Sequence, residues 1–212
     1  MRTELFAVGG LLGAGGFCVV LASLFPQLYR VWWRRGEDAL PLVARRTGIW
    51  RFANWLFAVG AGLTLPGIAG LARVIDRQEP EGFLPTPSLI MFAVGSVLWL
   101  ANLAFRLSVT STEAEAYRHG GQIGDWYEPL SNWVSGLWHA GAILCSLGLV
   151  GFGVSLVMTD LMPFWVGWMS VGAGALIVGL FILTDGVPPI LLYVPTAIFG
   201  GVILMRLLST PA

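Results

Sequence analysis

Residues 129–158 read PLSNWVSGLWHAGAILCSLGLVGFGVSLVM, a run without a single Asp, Glu, Lys or Arg. A hydrocarbon core about 30 Å thick is crossed by about 20 helical residues, so this run is long enough to span a membrane. Glycine recurs along it and lets helix backbones approach closely, as is typical of helices that pack in lipid. The stretch therefore predicts a transmembrane helix, and similar runs recur along the chain.

The composition of the whole chain agrees with a fold made of such helices. Apolar residues make up 56% and charged residues 11%, with a mean hydropathy of +0.77, against about 25% charged residues in a soluble domain. The predicted spans are residues 5–29, 49–72, 87–109, 129–158, 163–183 and 188–207. We therefore predict an all-α fold, a single bundle of six transmembrane helices over residues 1–212, with membrane lipids as its immediate partners.

The same composition argues against several classes of function. The net charge is zero and no basic arm is present, so nucleic acid is not an expected partner. The chain has no lysine, which excludes a retinal held as a Schiff base. It also lacks Gly-x-Ser-x-Gly, His-Glu-x-x-His and a phosphate-cradling glycine loop. We therefore expect a protein that is not an enzyme.

Arginine placement predicts the orientation of the bundle in the membrane. The connection between the first two spans contains Arg30, Arg34, Arg35, Arg45 and Arg46, more than any other connection. Because cytoplasmic loops carry an excess of positive residues, this loop is expected in the cytoplasm. With six spans, both termini then lie on the extracytoplasmic side.

Polar residues within the predicted spans concentrate in the cytoplasmic half of the bundle. They are Arg51, Asn54, Asn102, Arg106 and Asn132. Asn102 and Arg106 are four residues apart and therefore lie on one helix face. Two interpretations stay open: the asparagines join helices by hydrogen bonds while the arginines reach lipid phosphates, or the residues line a pocket for a lipid, an anion or another small molecule.

His139 is the one histidine within a predicted span and lies near its middle. It could be a core histidine that bonds a neighbouring helix, or an axial ligand to haem or to a chlorophyll-type pigment. A proton relay is the third possibility, although no span carries a central Asp or Glu to receive the proton.

Small residues at four-residue spacing predict where helices pack. The pairs are Gly9-xxx-Gly13, Ala58-xxx-Gly62 and Gly136-xxx-Ala140, and we expect packing at Gly9, Gly13, Gly62 and Gly136. The packing partner can be a helix of this chain or another integral membrane protein.

The last fifty residues resemble the tail of an uncharacterised family of six-span bacterial membrane proteins. The resemblance rests on LMPFWVGWM at residues 161–169 and PPILLY at residues 188–193. In that family a Pro-x-Trp-x-Gly-Trp segment precedes the fifth span. The resemblance implies a six-span bundle in a bacterial inner membrane and no particular activity.

These features favour a non-catalytic accessory or scaffolding subunit of a larger inner-membrane complex. One alternative is a small-molecule or lipid carrier that uses the cytoplasmic-side polar residues. The other is a haem or chlorophyll-type pigment protein with His139 as its axial ligand.

Overall fold

A computed structural model describes residues 2–26, 31, 36–78, 82–184 and 186–209, and the fold is all-α. Six helices are long and apolar enough to cross a membrane, so the chain is a multi-pass integral membrane protein. These six are α1 (Arg2–Ser23), α3 (Thr47–Gln78), α4 (Pro85–Phe105), α6 (Tyr127–Met158), α7 (Phe164–Thr184) and α8 (Ile190–Ser209). Two short helices lie within the described ranges: α2 (Leu40–Ala44), which follows a 3-10 turn at Gly36–Ala39, and α5 (Ser111–Arg118).

The predicted spans match the observed helices except at three places. Span one was expected to run to Tyr29, but α1 ends at Ser23, and Leu24 and Phe25 are not helical. Tyr29 itself lies outside the described residues, as do Arg30, Arg34 and Arg35 of the following loop. Span two was expected to end at Ala72, but α3 continues to Gln78. Span three does not stop at Val109, because a π-helical turn, Arg106–Thr110, continues α4 into α5. Gly120 ends α5 with φ of 82°.

The six long helices form two groups of three, joined into a ring. In the first group α1 lies between α3 and α8, and in the second α6 lies between α4 and α7. The junctions between the groups, α3 with α4 and α7 with α8, are less extensive than the contacts within them. The bundle therefore consists of two tightly packed halves that meet along two looser junctions.

Glycines hold each half together. Gly15 of α1 crosses Gly60 of α3, where an added Cβ on either residue would lie 2.8 Å from the other's carbonyl oxygen. In the second half Gly153 of α6 crosses Gly167 of α7, with the corresponding distances at 2.6 Å. All the close interhelical glycine contacts of the described residues fall within a half, so the junctions between the halves depend on other side chains.

The four glycines that we predicted as packing positions divide into two kinds. Gly9 packs against α8, where an added Cβ would lie 3.0 Å from Ile203 Cγ2, and the backbone of Gly13 contacts Gly200. Gly62 and Gly136 lie on faces where an added Cβ would have no atom within 4 Å. Neither of these two glycines packs closely against a helix of this chain within the described residues, because small-residue spacing alone does not define which face meets a neighbour; packing against another membrane protein stays a prediction.

Three arginines link helices at the end of the bundle that holds the start of α1 and the end of α8. Arg77 of α3 pairs with Glu4 of α1 at 2.6 Å. Arg2 donates to the Leu207 carbonyl at 3.1 Å, which places the start of α1 beside the end of α8. Arg206 donates to the Leu161 carbonyl at 2.7 Å. Each of these arginines thus has an intramolecular partner.

The opposite end is covered by a cap, which we define as residues 36–46 together with α5. Leu40 and Val43 of α2 and Ala114 of α5 are buried, and α2 packs against α5. The 3-10 turn contacts α6. Most apolar side chains of this part of the first loop are thus buried in the protein, with Leu42 partly buried, and the cap lies next to the polar residues of α3 and α4.

Candidate functional site

The candidate site lies at the junction of α3 and α4, near the cap. Trp50 Nε1 of α3 donates to the Arg106 carbonyl at 3.3 Å, and the Phe57 and Trp99 ring centroids lie 5.9 Å apart. Since the two helices run antiparallel, these contacts fix their register. Asn54, between Trp50 and Phe57, therefore lies level with Asn102, and both residues belong to the faces in contact.

Asn102 joins α4 to α6, as one of our two interpretations expected. Its Nδ2 donates to the Val134 carbonyl at 2.9 Å, and the residue is 2% exposed. Its Oδ1 is buried and has no hydrogen-bond partner among the described residues. The residue therefore fills a structural role with one end of its amide and leaves the other end unused.

Asn54 is fully buried and repeats this arrangement on α3. Its Nδ2 donates to the Trp50 carbonyl at 2.8 Å, within its own helix, and its Oδ1 has no partner in the described part of the chain. The orientation of both amides follows from chemistry, because a backbone carbonyl can only accept and so must face the amide nitrogen. Leaving a buried acceptor unsatisfied costs about 1–3 kcal/mol. The junction thus contains two buried acceptors that call for hydrogen-bond donors.

Arg106 follows Asn102 by four residues, about one helical turn, and lies between two tryptophans. Its Cζ is 5.7 Å from the ring centroids of both Trp50 and Trp99, which is cation–π distance. Its carbonyl also accepts from Ser111 Oγ at 3.1 Å. The residue begins the π-helical turn, a distortion that is frequent at functional sites. The two tryptophans and the π-turn were not predicted, although Trp99 and Arg106 share a face at a spacing of seven.

Two of the predicted site residues lie elsewhere. Arg51 forms a salt bridge with Glu115 of α5, N to O 2.9 Å, and both side chains are partly exposed. Asn132 lies on an exposed face of α6. Of the five predicted residues, the site at the α3–α4 junction therefore contains Asn54, Asn102 and Arg106. Arg51 and Asn132 lie outside it, because residues at a similar depth in the membrane can point in different directions around their helix axes.

His139 is separate from this site. It is partly exposed on α6, and its ring meets the Phe181 ring edge-on with centroids 5.4 Å apart. Among the residues that the structure describes, no three His, Cys, Asp or Glu side chains could share a metal ion. A haem or chlorophyll-type pigment needs only one axial ligand, so this hypothesis remains a prediction that a visible absorption spectrum would test.

Comparison with protein-family models, with curated proteins and with solved structures found no match to this chain. The family resemblance of the last fifty residues therefore stays an expectation. Any function assigned to the chain must accordingly rest on the chemistry of the site itself.

Proposed function

We propose that this protein is a carrier for a small uncharged molecule that presents hydrogen-bond donors. The observation that supports this function is the pair of buried side-chain carbonyl oxygens of Asn54 and Asn102, at one level of the α3–α4 junction, for which the described part of the chain provides no hydrogen-bond donor. Buried polar groups are almost always hydrogen-bonded, to protein, water or ligand. A hydroxyl or amide solute supplies the donors that both oxygens need.

Charge distribution supports an uncharged solute. In the sequence, the charged residues of the six helices fall near helix ends, at positions such as Glu4, Arg77 and Arg206, and Arg106 directly follows the last residue of α4. A solute that moves past Arg106 toward the middle of the bundle meets no further charged side chain of these helices, and an unpaired charge in such surroundings is very costly. Hydroxyl and amide groups cross such a region at much lower cost.

The arrangement of the helices supports a carrier over a fixed binding protein. Each half is held by direct glycine crossings, whereas the α3–α4 junction is filled by Trp50, Phe57, Trp99 and Arg106. Carriers commonly move one rigid bundle against another around a site near the membrane interior. A site at a looser junction between two tight halves fits this mechanism.

The test is uptake of radiolabelled glycerol and urea, two small neutral solutes with several donors, into proteoliposomes. We expect uptake above that of protein-free liposomes. Asn54→Leu should weaken it by about threefold to tenfold, the loss of one hydrogen bond. Asn54 is the informative position because its amide bonds only its own helix, so the replacement should leave the fold intact.

Asn132→Leu is the matched control, since it makes the same change on an exposed face of α6. We expect its uptake to equal that of the unmodified protein. Uptake of both solutes at the level of protein-free liposomes, or equal uptake by Asn54→Leu and the unmodified protein, would refute the carrier.

An accessory subunit of a larger membrane complex is the second candidate function. It is favoured by the outward position of Gly62 and Gly136, with Ala140 exposed one turn further along α6. Such faces let a helix of another membrane protein approach closely. Gly136→Leu should then release a co-purifying membrane protein on a native gel, while Leu147→Ala on the same face should retain it.

We place either non-catalytic role in a bacterial inner membrane, with the cap in the cytoplasm and both termini outside. The arginine-rich first loop supports this orientation. The arginines at the other end support it too, because Arg2, Arg77 and Arg206 have partners within the chain.

A further inference from the structure

A second buried polar group lies deeper in the bundle, where the two halves face each other. Tyr193 of α8 is 1% exposed, and its ring centroid lies 6.4 Å from that of Phe92 of α4. Its hydroxyl lies within reach of Ser96, with Cys145 nearby, although no hydrogen bond of good geometry forms within the described residues. Because a tyrosine hydroxyl can both donate and accept, hydrogen-bonding capacity remains here for an occupant.

Ser96 and Cys145 complete this group from the opposite half. Ser96 Oγ lies 3.9 Å from Cys145 Sγ, and the thiol is 3.6 Å from the Phe92 carbonyl. A tyrosine hydroxyl both donates and accepts, and the serine hydroxyl does the same. A small hydroxyl or amide compound therefore matches this group of side chains as well as it matches the two asparagines.

Trp99 stands between the two polar groups. On the inner face of α4 it follows Ser96 by three residues and precedes Asn102 by three, so the two groups are about 9 Å apart along the helix. Trp99 is 1% exposed, and its ring packs against Phe57 of α3 and Trp138 of α6. The indole thus fills the space between α3 and α6 at the level that separates the groups.

We infer that Tyr193, Ser96 and Cys145 form a second site for the same uncharged solute, and that Trp99 is the gate between this central site and the Asn54–Asn102 site. The inference rests on the proposed carrier function. The solute leaves the two asparagine oxygens when the indole moves aside, and it then bonds the Tyr193 hydroxyl at the centre of the bundle.

Cys145 is a native reporter for the central site. Inside-out membrane vesicles containing the full chain with Cys18→Ser are treated with a charged, membrane-impermeant methanethiosulfonate reagent. Such reagents modify thiolates in contact with water, so the rate reports access from the cap side. We expect Cys145 to react slowly in the Cys18→Ser protein. When Trp99→Ala is added to it, the reaction should be at least about tenfold faster.

Trp168→Ala serves as the control for the tryptophan change, because Trp168 is exposed on α7. It should leave the modification rate of Cys145 unchanged. Glycerol or urea at saturating concentration should slow the reaction in the Trp99→Ala protein. An unchanged rate in Trp99→Ala would overturn the gate, and a faster rate that neither solute slows would overturn the central site.

Tyr193→Phe tests the same site without opening a cavity. We expect solute protection of Cys145 and solute uptake to fall about threefold to tenfold, as for one lost hydrogen bond. If the site takes no solute, the replacement removes an unsatisfied hydroxyl, raises the melting temperature and leaves uptake unchanged. That result, combined with impaired uptake by Asn54→Leu, would reject the central site while leaving the proposed carrier intact.

Discussion

At the scale of single residues, a glycine such as Gly167 decides how closely two helices approach. A Cβ added there would lie 2.6 Å from both the Gly153 carbonyl and Val157 Cγ2, closer than real Cβ atoms come to their neighbours. In a membrane the apolar surface of a helix gains little from leaving lipid, so close van der Waals contact provides most of the attraction. The absence of a side chain at this crossing is therefore a direct source of stability.

Gly167→Ala should accordingly destabilise the protein by about 1–3 kcal/mol, because α7 must move away from α6. Gly172→Ala on the same helix is the matched control, since an added Cβ there has no atom within 4 Å. It should leave stability unchanged or raise it by up to about 1 kcal/mol through helix propensity. Thermal unfolding in detergent measures both. Equal melting temperatures for the two variants would contradict the close crossing.

Residue spacing predicted part of the site and missed part of it. Asn102 and Arg106 were placed on one face by their spacing of four, and in the structure Asn102 bonds the Val134 carbonyl of α6 while Arg106 contacts Trp50 of α3. Asn132 and Gly136 could not be placed from spacing, because a helix of this kind is apolar all round and its sequence does not mark which face is buried. Only the neighbouring helices determine that direction.

At the scale of elements, the continuation of α4 into α5 connects the site to the cap. The π-turn at Arg106–Thr110 keeps the chain helical past Val109, where the third span was expected to end, so α5 projects directly from the site. The Arg51–Glu115 salt bridge then joins α5 back to α3. The π-turn thereby links α4 to α5 through the backbone, and the ion pair links α5 to α3.

This ion pair is expected to contribute only about 0.2–1 kcal/mol, because both side chains are partly exposed to screening. A double-mutant cycle with Arg51→Gln and Glu115→Gln, followed by thermal unfolding, gives the coupling energy. Added salt should reduce it further. Glu113→Gln on the same helix is the control, and it should show no coupling to Arg51. A large coupling that persists in high salt would indicate that the pair is shielded from water.

At the scale of the whole molecule, the start of α1 and the end of α8 lie at one end of the bundle. Arg2 reaches the Leu207 carbonyl, so the start of α1 and the end of α8 are neighbours. An even number of crossings produces this arrangement, and the cap marks the opposite end. The orientation of the entire protein can therefore be measured at any one of these positions.

A periplasmically active reporter such as alkaline phosphatase, fused after Ala212, should be active. The same reporter fused after Gly120, between α5 and α6, should be inactive because this connection is expected in the cytoplasm. The reversed pattern would invert the orientation, and equal activity at both positions would contradict six crossings.

The position of α8 also has a consequence for how the protein is made. The face of α1 that contains Gly9, Gly13 and Gly16 packs on α8, and about 110 residues separate α3 from α8. At about 5–20 residues per second the ribosome needs roughly 6–20 s to synthesise this stretch. During that interval the α1 face stands open to lipid and to the insertion machinery, while the second half can already assemble. The last step in the assembly of this protein is thus the packing of α8 on α1. In a nascent chain that stalls before α8, the glycine-rich face of α1 remains uncovered and accessible to membrane quality control.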